Sequence, residues 1–196
     1  MSIHRLVTMA FVLLAVYSDV VYPSDRKLSP QEARLAEKIK AELLKGMTVQ
    51  LSPVEDPNIP TCFAAKFYQA VPTLTVGDSG SASFGSYLYA VAGATIAQIQ
   101  RPGGDDQDLP GLRKMINPKF RLKSDADGKA LLAALDALFE SGTVRIEKFD
   151  SSVKHEGRTW TFITGKFFKK FKGYLVQTDP TGRITGMRHS LSIKSK

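Results

Sequence analysis

Gly173-Tyr174-Leu175-Val176-Gln177-Thr178-Asp179-Pro180-Thr181-Gly182-Arg183-Ile184-Thr185-Gly186-Met187-Arg188-His189-Ser190-Leu191-Ser192-Ile193 decides the architecture of this chain. Two runs rich in apolar and β-branched residues flank Asp179-Pro180-Thr181-Gly182, a type I turn sequence in which proline presets φ at the second position. An antiparallel hairpin is predicted, with Met187, His189, Leu191 and Ile193 on one face of its second strand. Just upstream, Arg158–Thr164 puts Trp160 and Phe162 on a common face, and Val144–Phe149 alternates apolar with charged residues. The last third therefore reads as an antiparallel meander.

Working back from it, helices alternate with strand runs. Asp125–Glu140 carries Leu131, Leu135 and Leu138 along one stripe, with Ser124 as cap and Gly142 as terminator. Arg101–Asp108, with its glycines and aspartates, reads as an exposed loop, and Leu109–Ile116 as a short helix stopped by Asn117-Pro118. Ser83–Gln100 and Phe63–Val76 read as two long strands about the turn Gly77-Asp78-Ser79-Gly80. Pro72 suggests an edge or a bulge, and Gly93 a kink. Asp56-Pro57 and Ile59-Pro60 read as loop, and Thr48–Leu51 as a short strand. The first helix spans Ser29–Lys45, where Ser29 and Glu32 form a capping box and Gly46 closes the element.

The order helix, hairpin, helix, meander predicts an α+β fold: two main helices packed on antiparallel β-sheet, made of a long hairpin plus the carboxy-terminal meander. The same order also admits two pseudo-duplicated helix-then-strands halves, although no residue-level repeat links them. Residues 1–18 form a separate segment. His4-Arg5 supplies a charged start, Leu6–Val16 an apolar core, and Val16 and Ser18 the small-residue exit of a secretory signal peptide. The core is shorter than the roughly 20 residues that span a bilayer. Residues 19–196 are expected to form one domain, with a sub-boundary at the 101–108 loop. The single cysteine, Cys62, excludes an internal disulfide and is expected to be a buried hydrophobe. An exported chain without bridges points to a bacterial setting, periplasmic or secreted.

The segments that hint at catalysis fail on chemistry. Gly77-Asp78-Ser79-Gly80 resembles the nucleophile segment of chymotrypsin-like proteases, yet the only histidine before it is His4, within the signal. Gly77-Asp78-Ser79 also resembles the start of GDSL-type esterases, but their Asp-x-x-His pair is missing at Gly186-Met187-Arg188-His189. A hairpin turn accounts for these residues. Asp125-Ala126-Asp127-Gly128, set against a calcium loop, puts Lys123 at the first ligand position and Ala134 at the twelfth; first-turn helix residues are the better reading. Asp105, Asp106 and Asp108 read as a solvated loop, His155 as part of a turn, and His189 as a structural histidine. No catalytic residue, metal ligand or cofactor is assigned.

Charge supplies the functional expectation. Residues 144–196 hold twelve Lys/Arg against four Asp/Glu, whereas 19–143 hold fourteen against fifteen. Lys166-Phe167-Phe168-Lys169-Lys170-Phe171-Lys172 interleaves cations with rings between Gly165 and Gly173, a pattern suited to an anionic membrane surface or an anionic polymer. Lys166, Phe168, Lys169, Lys170, Phe171, Lys172 and Arg188 are the candidate binding residues. The expected function is a non-enzymatic binding or accessory module. Its basic carboxy-terminal sheet would meet an acidic protein, an envelope polymer or a membrane surface, with no specific nucleic acid. A carboxylate- or histidine-based hydrolase and an assembly protein pairing through sheet edges are the alternatives.

Overall fold

The computed structural model describes residues 20–21, 29–42, 47–75, 81–83, 85–102, 106–139, 151–167 and 170–193. The signal segment, Gly46, the Gly77–Gly80 turn and the expected strand Val144–Phe149 lie outside the described residues. Two antiparallel-rich sheets and two long helices make an α+β fold.

Sheet 1 forms from β1 (Val20–Val21), β2 (Met47–Pro53), β3 (Lys66–Thr75), β4 (Ser81–Ser83), β5 (Tyr87–Ala92) and β6 (Thr95–Ile99). Its order is β1-β2-β3-β5-β6, with β4 also paired to β3; β1 joins in parallel and the remaining pairs are antiparallel. Helix α1 (Pro30–Glu42) lies on one face. Leu35 and Ile39, four apart and so on one stripe, pack with Val49, Leu51, Tyr68, Ala70, Tyr89 and Val91. The capping box is made: Ser29 N–H donates to Glu32 Oε2 at 2.9 Å, and Glu32 N–H donates to Ser29 Oγ at 3.3 Å. Two tyrosines tie the helix down at its ends. Tyr68 donates to Glu32 Oε1 at 3.3 Å and Tyr89 to Glu42 Oε2 at 3.2 Å.

The other face of sheet 1 contributes Phe67, Leu88 and Ala90 to a larger cluster. This cluster continues through α2 (Ile59–Cys62) and α3 (Pro110–Lys114) to α4 (Asp125–Phe139), where Leu131, Ala134, Leu135 and Leu138 are fully buried. It ends on sheet 2, built from β7 (Gln107–Asp108), β8 (Ser152–Glu156), β9 (Thr159–Phe167), β10 (Lys170–Thr178) and β11 (Ile184–Ile193) in the order β7-β11-β10-β9-β8. Trp160, Phe162, Tyr174, Val176 and Met187 face this core. Helix and sheet meet at Gly128, where a Cβ would lie 2.9 Å from Val153 Cγ1 and 3.1 Å from Trp160 Cζ3. Only a residue without a side chain allows that approach.

Several local expectations are corrected. Ser83–Gln100 is not one strand: Gly93, at φ +58°, turns the chain between β5 and β6. Ile59-Pro60, expected as loop, opens the helical turn Ile59–Cys62, and Phe63, expected to start a strand, makes an isolated bridge to Ile116. Pro72 lies inside sheet 1 opposite Val49. On its other side β5 pairs only up to Ala70 and β4 begins at Thr73, so the missing N–H falls at a break in the ladder. His155 belongs to β8, with the turn at Gly157-Arg158. Part of the 101–108 loop becomes β7, paired to Arg188 and His189 of β11.

Candidate functional site

Lys166–Lys172 resolves into the facing ends of two strands. Lys166 and Phe167 close β9, and Lys170, Phe171 and Lys172 open β10. Lys170 pairs with Phe167, Phe171 with Lys166 and Lys172 with Gly165. Phe168 and Lys169, the two residues between the strands, lie outside the described residues. The Lys172 stem runs across Gly165, where any Cβ would overlap Lys172 Cε, and Phe171 and Lys172 are half-buried. On one flank β8 stops at the Ser152–Ile163 pair, so β9 continues four residues beyond it. On the other flank β11 reaches Ile193, opposite Phe171. Among the described residues β9 has no β8 partner beyond that pair, yet Thr164, the first residue past it, is buried.

Arg188, the remaining candidate, lies elsewhere. It pairs with Leu175 near mid-sheet, and its Nη2 donates to Asp106 Oδ2 at 2.8 Å. Both side chains are about half exposed, at 46% and 45%, so this is a partly screened pair. Asp108 stands directly opposite Arg188 across β7 and β11. The acidic loop therefore folds onto the cation that the sequence reading assigned to the basic surface. Across the same row Lys154, Thr161 and Leu175 complete an outer face with little surplus charge.

A second set of cations, missed in the sequence, gathers at the opposite end of sheet 2. Lys119, Arg121 and Lys123 alternate with Phe120 and Leu122, which are buried at 7% and 2% exposure. The three cations line a 570 Å³ pocket with Thr61, Asn117 and Asp127. Leu122 N–H donates to Gly182 O at 2.8 Å, docking this segment on the β10–β11 turn. Acids there are already engaged. Burial would raise the Asp127 carboxyl, but the Ser124 hydroxyl, the Lys123 and Ser124 amides and the Lys123 charge hold it below the ordinary range. The Thr181 hydroxyl and the Arg183 amide, then the Thr181 amide and the Arg121 charge, hold the Asp179 carboxyl below its ordinary value against an opposing desolvation. The strict cation–apolar alternation of 119–123 was the available signal.

A further pocket, about 520 Å³, opens between the start of α1, the 54–57 loop, α2 and β3. Glu32, Glu55 and Asp56 contribute carboxylates, with Lys66 and Tyr68 beside them and Pro53, Pro57, Ile59 and Phe67 as apolar wall. Two of the three acids already hold partners. Glu32 caps α1 and accepts from Tyr68, and Asp56 Oδ1 accepts from Asn58 N–H and Nδ2 at 2.8 and 3.0 Å. Among the described residues, no three His, Cys, Asp or Glu side chains are grouped to hold a metal ion. The histidines are apart: His155 stacks on Trp160 at 4.5 Å between centroids, and His189 is buried with its ring edge-on to Tyr174 at 5.5 Å. Cys62 is fully buried, and burial, with the Asp127 and Asp56 charges adding, pushes its thiol up to about 12. No family model, curated protein or solved structure matches the chain.

Proposed function

We propose that the protein is an exported, non-enzymatic binding or accessory module that meets an anionic partner through one end of sheet 2. The observation that carries this reading is where charge falls along three consecutive strands. From Gly157 to Lys196 the sequence holds nine Lys/Arg and a single acid, Asp179. Asp179 follows the far end of β10, while Lys166, Lys170 and Lys172 are paired into the near end. Concentrated cations of this kind raise the local concentration of anions and speed association in a salt-dependent way.

The test is elution from immobilised heparin and from an anionic phospholipid support, as a function of salt. Changing Lys166, Lys169, Lys170 and Lys172 to Gln is expected to lower the eluting salt and flatten its dependence on both supports, with the fold kept. Retention unchanged by the four substitutions removes the reading. The 520 Å³ pocket favours a carboxylate-based hydrolase as the second reading. Hydrolysis of ester or glycoside substrates by the purified chain, abolished by Glu55→Gln with Asp56→Asn, would install that reading in place of the first.

A further inference from the structure

We infer that the 570 Å³ pocket between α2, the 117–123 segment and the start of α4 holds a small organic molecule by a phosphate monoester, with Lys119, Arg121 and Lys123 as its cations. The segment that carries these residues is pinned at both ends. Asn117 N–H donates to Cys62 O at 2.9 Å, and Leu122 N–H donates to Gly182 O at 2.8 Å. Phe120 and Leu122 are buried, while Lys119 and Lys123 stay exposed and Arg121 is half-buried. Arg121 is held most firmly, because its Nη1 donates to Pro118 O at 2.6 Å and to Phe120 O at 2.7 Å. Among the described residues no hydrogen bond engages its Nε or Nη2. That edge of a guanidinium grips two oxygens of one phosphate at once.

Charge selects the group that binds. Three cations and one carboxylate, Asp127, line the pocket, a surplus of two positive charges. Asp127 is committed, since its Oδ2 accepts from the Lys123 and Ser124 amides and the Ser124 hydroxyl at 3.1, 2.9 and 2.8 Å. Asp179, which feels the Arg121 charge from the neighbouring turn, is taken up by Thr181 and Arg183. A phosphate monoester carries about two negative charges near neutral pH and matches the surplus; a carboxylate or a sulfate ester supplies half as much. Three cations gathered at one pocket suit a single such group, whereas a polyanion is held by charges spaced along its length. The volume asks for more than the phosphate, because sites for small molecules run to about 300–1,000 Å³ with a few polar groups on an apolar wall. Phe120 and Ala130 supply that wall. The pocket lies toward the β10–β11 turn, away from Lys166–Lys172, and its ligand is separate from the partner met there.

Isothermal titration calorimetry of the full chain tests this with phenyl phosphate, inorganic phosphate, phenyl sulfate and heparin. The expected result is a single phenyl phosphate per chain, bound more tightly than inorganic phosphate. Phenyl sulfate, of the same shape and half the charge, should bind about tenfold more weakly. Lys119→Gln with Lys123→Gln, both at exposed positions, should weaken phenyl phosphate at least about tenfold while the urea midpoint holds. Arg121→Lys keeps the charge but loses the fork, and should weaken it about fivefold. Lys166, Lys170 and Lys172 to Gln should leave it unchanged, so failure here and failure at the β9–β10 end are told apart. Equal affinity for phenyl sulfate overturns the phosphate, and equal affinity for inorganic phosphate overturns the organic ligand. Phenyl phosphate left unbound, or bound regardless of Lys119 and Lys123, overturns the site. Heparin binding lost with those two lysines, in a chain that does not take up phenyl phosphate, leaves a polymer in place of the small molecule.

Discussion

Sheet 1 and sheet 2 are built from similar strands and treated differently by the rest of the chain. Sheet 1 is covered twice, by α1 on its Tyr68–Tyr89 face and by the central cluster on its Phe67–Leu88 face. On sheet 2, Trp160, Phe162, Tyr174 and Val176 face the central cluster, while on the far side Thr159 and Gln177 are exposed, Thr161 and Leu175 half-buried and Ile163 buried. A sheet buried on both faces is a scaffold, because it has no broad surface left to offer. One with exposed residues on its far face can present them. Lys166, Lys170 and Lys172 are paired into the β9 and β10 ends that lie past the last β8 pair.

The comparison breaks most visibly in the core. Trp160 and Phe67, from different sheets, are 2% and 1% exposed and belong to one cluster. Replacing either with Ala should cost about 3–5 kcal/mol in urea unfolding. A cost at Trp160 below about 1 kcal/mol would detach sheet 2 from the shared core. Tyr68→Phe should cost about 1–3 kcal/mol, because it removes a hydrogen bond to the buried Glu32 carboxylate. Tyr89→Phe should cost less, since Glu42 is exposed; the opposite order would mean that α1 is anchored at its carboxyl end.

Alkaline titration sharpens the picture of the covered elements. Burial first, then the Glu42 charge and hydrogen bond, with a smaller contribution from Tyr87, push the Tyr89 hydroxyl up to about 12, and burial does the same to Cys62. Both groups hold their protons more tightly when folded than at the ordinary values of 10.0 and 9.0. Their contribution is intact below about pH 9 and is lost as pH rises through about 12. The urea midpoint should fall over that range, and Tyr89→Phe with Cys62→Ala should flatten the fall. The smallest expected effect on stability belongs to the β9–β10 end. Lys166, Lys170 and Lys172 to Gln should shift unfolding by no more than about 0.5 kcal/mol, and a larger loss would make those lysines structural.

Legibility in the sequence follows the same division. Sheet 2 alternates because one face meets the core, so Trp160-Thr161-Phe162 and Tyr174-Leu175-Val176-Gln177 announced their strands and faces. Leu88-Tyr89-Ala90-Val91 is apolar throughout because both faces are covered, and a run without alternation gives no boundaries. Ser29 and Glu32 revealed the first helix start, since capping is local chemistry. Register was not local. Counting outward from the Thr178–Ile184 pair would set residue 191 opposite Phe171, but two irregularities move the partner to Ile193. The same limit hid the Asp106–Arg188 pair, whose members stand 82 residues apart. It also hid the docking of Lys119–Lys123 on the β10–β11 turn.

The most direct measurement is the salt dependence of binding to anionic vesicles, compared between the natural chain and the Lys166, Lys169, Lys170 and Lys172 to Gln variant. The account predicts a steep dependence for the natural chain and a shallow one for the variant, at equal unfolding midpoints. Equal slopes would contradict it and move the contact away from the β9–β10 end of sheet 2.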